Sequence, residues 1–166
     1  LDMTTGQLIS LQAKSIIIAD GGYEGAWTGS NIGLGLDLAL QAGLAARDLE
    51  FVGWAPLGVS GTNVVLPIGL LADGATLHHS NGTPIEVELT ADSTTIANAV
   101  GASSDAVLDA RNMGESSVWW AQTFEMVSQR LGINMNKQTV PISPRVATTI
   151  GGIPTCLLYT SDAADE

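Results

Sequence analysis

The chain has 166 residues, of which 45% are hydrophobic and 14% are charged, so it is long and apolar enough to bury a core. These proportions exclude an intrinsically disordered chain. The formal net charge of -11, with only six lysines and arginines, excludes a nucleic-acid partner, because phosphate contacts need clustered cations. No apolar run of about 18 residues predicts direct membrane insertion, and no signal-peptide pattern is visible.

Residues 156–166 resemble the translation of a sequencing-library adapter rather than natural protein sequence. They run from Cys156 to Glu166 and contain the only cysteine. Because such scars carry no information about the fold, we exclude them, and with Cys156 any thiol or metal site. The start at Leu1 instead of Met predicts that residues 1–155 are a piece of a longer chain.

The first third of the chain predicts strands around a glycine-rich loop. Gln7 to Ala13 alternates as a half-buried strand, and Ser15 to Ile18 predicts a buried strand that turns at Gly21-Gly22. Residues 25–35 read as a loop, residues 36–46 have helical spacing, and residues 49–54 read as a second buried strand.

The remaining elements are short and mixed. Pro56, Gly58 and Gly61 predict an irregular region, and the periodicity of residues 66–71 does not decide between helix and strand. Ser116 or Ser117 is expected to cap the helix at 117–131, and Gly132 to end it. Further expectations are strands at 75–79, 106–109 and 146–150, a helix at 94–100 and a turn at Asn81-Gly82. This mixture predicts an α/β or α+β fold.

Several motifs follow one another in an order typical of one family. They are Ala19-Asp20-Gly21-Gly22, Asn31 to Gly35, Ala39 to Gly43, Arg47 to Val52, Trp54 to Gly58, Leu108 to Gly114 and Pro141 to Ile153. This set resembles the flavoprotein subunit of succinate dehydrogenase and fumarate reductase, a family that includes aspartate oxidase. The resemblance implies an α/β fold: a partial FAD-binding, Rossmann-like domain and an α+β capping domain.

The resemblance implies a site for FAD. By analogy with the family, the cofactor-binding positions are Ala19, Asp20, Gly21, Gly22, Gly33 and Gly35. Bare glycine backbone permits close approach to a dinucleotide. Asp20 stands where the family has Thr and adds negative charge, and Leu34 stands where the family has Asp, which removes a polar contact.

The family's substrate positions carry different chemistry in this chain. The first His of the dicarboxylate site falls at Ala55, the Thr-Glu pair near Pro67 and Ile68, the Arg proton shuttle near Ser93, and the second His at Ala147. Arg145, two residues before Ala147, is the candidate carboxylate-binding group.

Other chemically able residues have ordinary structural interpretations. His78 and His79 are adjacent on a predicted strand and face opposite sides, which favours a solvated hairpin over a joint site. Arg111 is a weaker anion-binding candidate than Arg145, since a surface role suits it as well. Trp119 and Trp120 are expected to pack in the core or at an interface.

The resemblance implies three segments: residues 1–62 from the FAD-binding domain without its N-terminal dinucleotide motif, residues 63–145 from the capping domain, and residues 146–155 returning to the FAD domain. It implies an oxidoreductase that moves a hydride between a substrate C–C bond and flavin, a carboxylic acid as substrate, and an iron–sulfur partner subunit. The expected location is the cytoplasm or the inner face of a membrane. Two alternatives stay open. One is a non-catalytic homologue that serves as a binding or assembly subunit, and the other is a related flavoenzyme that acts on a bulkier or less polar substrate, for which Ala55, Leu57 and Ile68 would form an apolar pocket.

Overall fold

A computed structural model describes residues 2–27, 29, 31–88 and 90–154 of the chain. The predicted adapter tail and Cys156 lie outside these residues. The elements are two 3-10 helices at Glu24–Ala26 and Gly114–Trp120, helices α1 (Leu34–Gln41), α2 (Gly69–Ala72), α3 (Ser93–Gly101) and α4 (Ala121–Leu131), and strands β1 (Val52–Val59), β2 (Thr76–His79), β3 (Ala106–Asp109) and β4 (Val140–Thr149).

The four strands form one sheet in the order β1-β4-β3-β2, and every neighbouring pair is antiparallel. Strand β1 lies at an edge, which explains how Pro56 fits inside a strand although proline has no N–H to donate. The predicted mixture of helices and strands is confirmed. The irregular region predicted at Pro56 and Gly58 is wrong, because both residues belong to β1.

The core lies between one face of this sheet and the helices. Helix α3 packs against β1 and β4, and its buried residues are Ile96, Ala97 and Val100. The largest fully buried side chains come from every layer of the fold: Leu57, Val59, Leu70, Ile96, Val100, Leu108, Val127, Met135 and Val140. The chain thus buries the core that its composition predicts.

The helix ends follow local capping chemistry. Asp92 caps α3 by accepting a hydrogen bond from the Thr95 N–H at 2.9 Å, and Gly132 ends α4 with a left-handed φ of 68°. The cap predicted at Ser116 or Ser117 is wrong. The preceding turns are a 3-10 helix, Trp120 is the N-cap of α4, and the Ser117 hydroxyl donates to the Gly114 carbonyl.

The two strands predicted before residue 22 are absent. Gln7 to Ala13 and Ser15 to Ile18 belong to no strand, and Ile16 and Ile17 are 83% and 91% exposed. The backbone of residues 8–22 makes no hydrogen bond to another backbone group in the described part of the chain. A strand needs a neighbouring strand to bond with, and these residues have none there.

The other predicted elements are confirmed with shifted ends. Helix α1 is shorter than the predicted 36–46, and the strand predicted at 49–54 begins at Val52. Helix α2 begins within residues 66–71, where the sequence did not decide between helix and strand. The Asn81-Gly82 turn is present: Gly82 has a φ of 87°, and its N–H donates to the His79 carbonyl. No helix of the described residues is long and apolar enough to cross a membrane. The division at residues 62 and 145 stays a prediction.

Candidate functional site

A cleft of about 490 Å³ lies where three distant segments meet. Its walls come from residues 16–23, from helix α1 and the following Leu44, and from residues 151–153. The predicted cofactor-binding residues Ala19, Asp20, Gly21, Gly22 and Gly35 all line it, whereas Gly33 does not. The cleft has a volume within the usual range for small-molecule sites, roughly 300–1,000 Å³.

Asp20 caps the N-terminus of helix α1, although it lies fifteen residues before its hydrogen-bond partner Gly35 in the sequence. Its carboxylate Oδ2 accepts a hydrogen bond of 2.5 Å from the Gly35 N–H. Gly33, the N-cap position, has a left-handed φ of 74° and offers no side chain to cap the helix. Asp20 therefore supplies the negative charge that a helix N-terminus attracts.

The wall formed by residues 16–23 depends on close contacts around Thr149. A Cβ on Gly22 would collide with the Thr149 hydroxyl and the Glu24 carboxylate. Thr149 donates from its N–H to Glu24 Oε1 at 3.1 Å, and its hydroxyl oxygen accepts from the Tyr23 N–H at 3.2 Å. Hydrogen bonds from the Glu24 and Thr149 backbone lower the pKa of the Glu24 carboxyl. Gly22 thus lets the end of β4 pack tightly against the cleft.

The third wall is joined to the loop before β1. Arg47 and Gly152 exchange two backbone hydrogen bonds, of 2.9 and 3.0 Å. A Cβ on Gly151 would collide with the carbonyl of Asp48, so only glycine fits there, whereas a Cβ on Gly152 would meet no atom within 4 Å. Gly151 therefore permits close packing against the backbone at Asp48, whereas the space beside Gly152 is open.

The lining fits the neutral parts of a dinucleotide and not its pyrophosphate. Ile18, Leu36, Leu44 and Ile153 provide apolar walls that suit a flat ring. No Lys or Arg lines the cleft among the described residues, and its one charged side chain, Asp20, already occupies the N–H of Gly35. A phosphate would find there neither a cation nor that helix-terminal donor.

Ala55 and Ala147, the positions predicted to correspond to the family's two histidines, lie at irregularities between β1 and β4. Ala147 is the extra residue of a bulge, because Gly53 pairs with Thr148 and Trp54 with Val146. Ala55 pairs with Arg145 and directly precedes a second bulge. Bulges redirect side chains and are common beside active sites, but alanine at both positions carries no group for proton transfer.

Arg145 is the cationic side chain beside this pair. Its aliphatic part lies against Gly58, where a Cβ would collide with Arg145 Cγ, and its Nε is buried without a hydrogen-bond partner among the described residues. The other substrate positions do not join it. Pro67 and Ile68 are exposed before α2, and Ser93 is the exposed first residue of α3.

Known proteins that are similar to this chain include flavoprotein subunits of fumarate reductase and succinate dehydrogenase. The fumarate reductase flavoprotein subunit of Escherichia coli K12 is 27% identical over 93% of this chain and 32% of its own length. A succinate dehydrogenase flavoprotein subunit of Xenopus laevis is 28% identical over 93% of this chain and 27% of its own length. No family model matches the chain.

A solved quinol-fumarate reductase with menaquinol molecules shares the fold, with a TM-score of 0.73, 23% identity, and coverage of 84% of this chain and 30% of its own. The chain resembles the fumarate reductase and succinate dehydrogenase flavoprotein subunits. It spans about a third of the length of these relatives. The predicted resemblance is confirmed at the level of sequence and fold.

The remaining candidates of this flavoprotein-like chain make hydrogen bonds within the fold, and only the second ring nitrogen of His78, Nδ1, is buried without a partner among the described residues. His79 Nδ1 bonds to Asp105 at 2.9 Å, His78 Nε2 bonds to Thr76 at 2.8 Å, and Arg111 makes two bonds to the buried Asp109. The Arg111 guanidinium lowers the pKa of the Asp109 carboxyl. No group of three or more His, Cys, Asp or Glu side chains in the described residues could hold a metal ion.

The structure places the two tryptophans differently. Trp120 packs against the core and donates from Nε1 to Asp73 at 2.7 Å, whereas Trp119 is 85% exposed. Of the two predicted locations, the core is confirmed for Trp120, and an interface stays a prediction for Trp119. Leu57 is fully buried, so it does not open onto a substrate pocket with Ala55 and Ile68.

Sequence reasoning did not predict that Tyr23, Leu36, Leu44 and Ile153 line the cleft. The available signal was the Gly151-Gly152 pair, which repeats the strand-to-glycine pattern of Gly21-Gly22. Glycine pairs mark places where backbones approach closely, and here both pairs line one cleft. The sequence did not predict that the two glycine pairs would lie in the same cleft.

Proposed function

We propose that this chain is part of an FAD-dependent oxidoreductase and that its cleft binds one neutral end of FAD. The observation that carries the proposal is the convergence of three glycine-bearing segments, residues 19–22, Gly35 and residues 151–152, around one cleft. Sequence similarity to flavoprotein subunits over 93% of the chain supports the same assignment.

When bound, FAD supplies two-electron chemistry, accepting a hydride from a substrate carbon or returning one to it. The residues of this chain have binding roles. Ile18, Leu36 and Leu44 would contact the ring and cover part of its face, and the open space beside Gly152 would permit close approach. Because Asp20 is negatively charged and no Lys or Arg lines the cleft among the described residues, the pyrophosphate would need to be held by residues outside this cleft.

We further propose that Arg145 binds the carboxylate of the substrate in place of the family's histidines. Its Nε is buried and has no hydrogen-bond partner in the described part of the chain, so a carboxylate would satisfy it. Ala55, opposite Arg145 in the sheet, leaves room that a histidine would fill. The substrate class is then a carboxylic acid, bound at the β1–β4 bulges.

A non-catalytic role is the second candidate. Ala55, Pro67, Ile68, Ser93 and Ala147 include no acid or base that could exchange a proton with substrate near neutral pH. In that case the parent protein would keep the cofactor-binding fold and serve as a binding or assembly subunit. By analogy with the named relatives, which are subunits, an iron–sulfur partner and attachment at the inner face of a membrane are part of either proposal.

Titration with FAD tests the cleft. The 166-residue chain is expected to quench flavin fluorescence saturably but weakly, because the pyrophosphate lacks a cation here. Gly152→Leu fills the open space at the cleft wall and is expected to weaken binding at least tenfold without unfolding the chain. Ala102→Leu, an exposed small-to-large change after α3, is the matched control and should bind as the unmodified chain does. Unsaturable quenching, or equal binding by Gly152→Leu, would contradict the proposal.

A parallel titration with fumarate tests Arg145. A thermal shift on adding fumarate is expected for the unmodified chain and should be lost in Arg145→Gln, which retains a long polar side chain but no charge. Loss of the shift with preserved FAD binding would assign the carboxylate to Arg145. An equal shift in both proteins would remove Arg145 from the site.

A further inference from the structure

Among the described residues that line the cleft, Asp20 is the only one with a charged side chain. The rest of the lining is aliphatic side chains, glycine backbone, two alanines and Tyr23. A lone carboxylate attracts hydroxyl and N–H donors and repels anions.

The position of Asp20 also removes the usual anion-binding donor of a helix terminus. Its Oδ2 accepts from the Gly35 N–H in the first turn of α1, where a phosphate would otherwise bind. A phosphate entering the cleft would therefore lose this donor and face a negative charge. A neutral ligand would lose nothing and could donate a hydroxyl to Asp20.

We propose that Asp20 makes the cleft selective for a neutral, hydroxylated heterocycle and rejects the phosphate ester of the same compound. This inference rests on the proposed cofactor site and adds which chemical form that site accepts. Two compounds share the required chemistry: an isoalloxazine ring with a ribityl chain, and an adenine ring with a ribose. The experiment therefore uses both, each paired with its phosphate ester.

Binding of riboflavin and FMN, and of adenosine and AMP, is measured with the full chain at low ionic strength, by flavin fluorescence or calorimetry. We expect the neutral member of the accepted pair to bind about tenfold more tightly than its phosphate ester, because one carboxylate faces the added charge. In Asp20→Asn the amide oxygen can still accept from the Gly35 N–H, so the helix cap is retained. That variant should reduce the preference to about threefold or less.

Asp92→Asn is the matched control. Asp92 also accepts a backbone N–H at a helix N-terminus, that of Thr95, but it lies outside the cleft. It should leave the preference unchanged. If Asp20→Asn fails to fold, as judged by circular dichroism, Asp20→Ser supplies a neutral capping hydroxyl instead.

The outcomes separate this inference from the proposed function. Failure of all four compounds, together with FAD, to bind would overturn both. Saturable binding that Gly152→Leu weakens, with no preference for the neutral compounds or an equal preference in Asp20→Asn, would overturn the inference alone. A preference that falls equally in Asp92→Asn would assign the effect to net charge and would also overturn it.

Discussion

Gly151 and Gly152 are neighbours in the sequence but have different surroundings. A Cβ on Gly151 would enter the space of the Asp48 carbonyl, whereas the same atom on Gly152 would meet nothing within 4 Å. Backbone atoms cannot move aside as the end of a flexible side chain can. The sequence shows two equivalent glycines, and the packing makes only one of them indispensable.

Gly151→Ala is expected to lower the free energy of unfolding by about 1–3 kcal/mol, because the added methyl must displace the backbone at residues 47–48. Gly152→Ala is the control and should change it by less than about 0.5 kcal/mol. Urea denaturation of both variants measures the difference. Equal destabilisation by the two substitutions would contradict the described packing.

The structural role of Asp20 could not be predicted from its residue type. In the sequence its charge stands at a predicted cofactor-binding motif, where the family has Thr. The fold brings it to the N–H of Gly35, a contact across fifteen positions and a loop. No local pattern indicates such a cap, because the usual capping residue adjoins its helix, and here that position is Gly33.

At the scale of elements, most predictions that rest on local sequence signals succeeded, and the strands predicted before residue 22 failed because they have no partner strand among the described residues. Strand β3 has the predicted bounds, and β2 precedes the predicted Asn81-Gly82 turn, because their apolar runs and turn residues are local signals. The run Ser15 to Ile18 has an equally strong local pattern but forms no strand. Strand formation needs hydrogen bonds from another segment, which a local pattern cannot supply.

The turn after β2 is tied to the start of β3 through Asp105. His79 Nδ1 bonds to its Oδ1, and the Ser80 N–H and hydroxyl both donate to its Oδ2. The hydrogen bond with His79, followed by that from the Ser80 hydroxyl, lowers the pKa of Asp105 from 3.8 to about 2. This link joins two elements that are 25 residues apart.

A lowered pKa in the folded state has a definite sign for stability. The ionised carboxylate stabilises the fold above the unfolded-state pKa of 3.8, and that contribution is lost as the pH falls toward about 2. Asp105→Asn should therefore lose stability relative to the unmodified chain at pH 5, and the difference should shrink by pH 2. Urea midpoints across this range measure it. Ser80→Ala, which keeps the His79 bond, should show a smaller change, and a pH-independent difference for Asp105→Asn would contradict the assignment.

At the scale of the whole molecule, some segments of the chain contribute to the buried core and others do not. The sheet and helices α2 to α4 share one buried cluster that includes Leu57, Leu108 and Val140. Residues 8–20 are exposed throughout and contribute none of it. Local stability follows such differences in burial and hydrogen bonding.

Amide hydrogen exchange should reveal this division. The amides of residues 8–19 are expected to exchange at rates close to those of an unfolded peptide, because they make no backbone hydrogen bonds among the described residues. The amides of Leu108 and Val140 should exchange more slowly by several orders of magnitude. Protection of Ile16 to Ile18 comparable to that of β3 would show that this segment forms a strand after all.

The sequence by itself determined the class of elements, the approximate positions of most of them and the resemblance to fumarate reductase flavoprotein subunits. These follow from local periodicity, turn residues and ordered motifs, which are properties of neighbours in the chain. Only the tertiary structure decided that Ser15 to Ile18 stays unpaired, that Asp20 caps α1, and that Arg145 faces Ala55. The Asp20 cap and the Arg145–Ala55 pair join residues that are up to about 90 positions apart in the chain, and Ser15 to Ile18 lacks a partner strand among the described residues. All three outcomes depend on how the whole core packs, which local sequence patterns do not show.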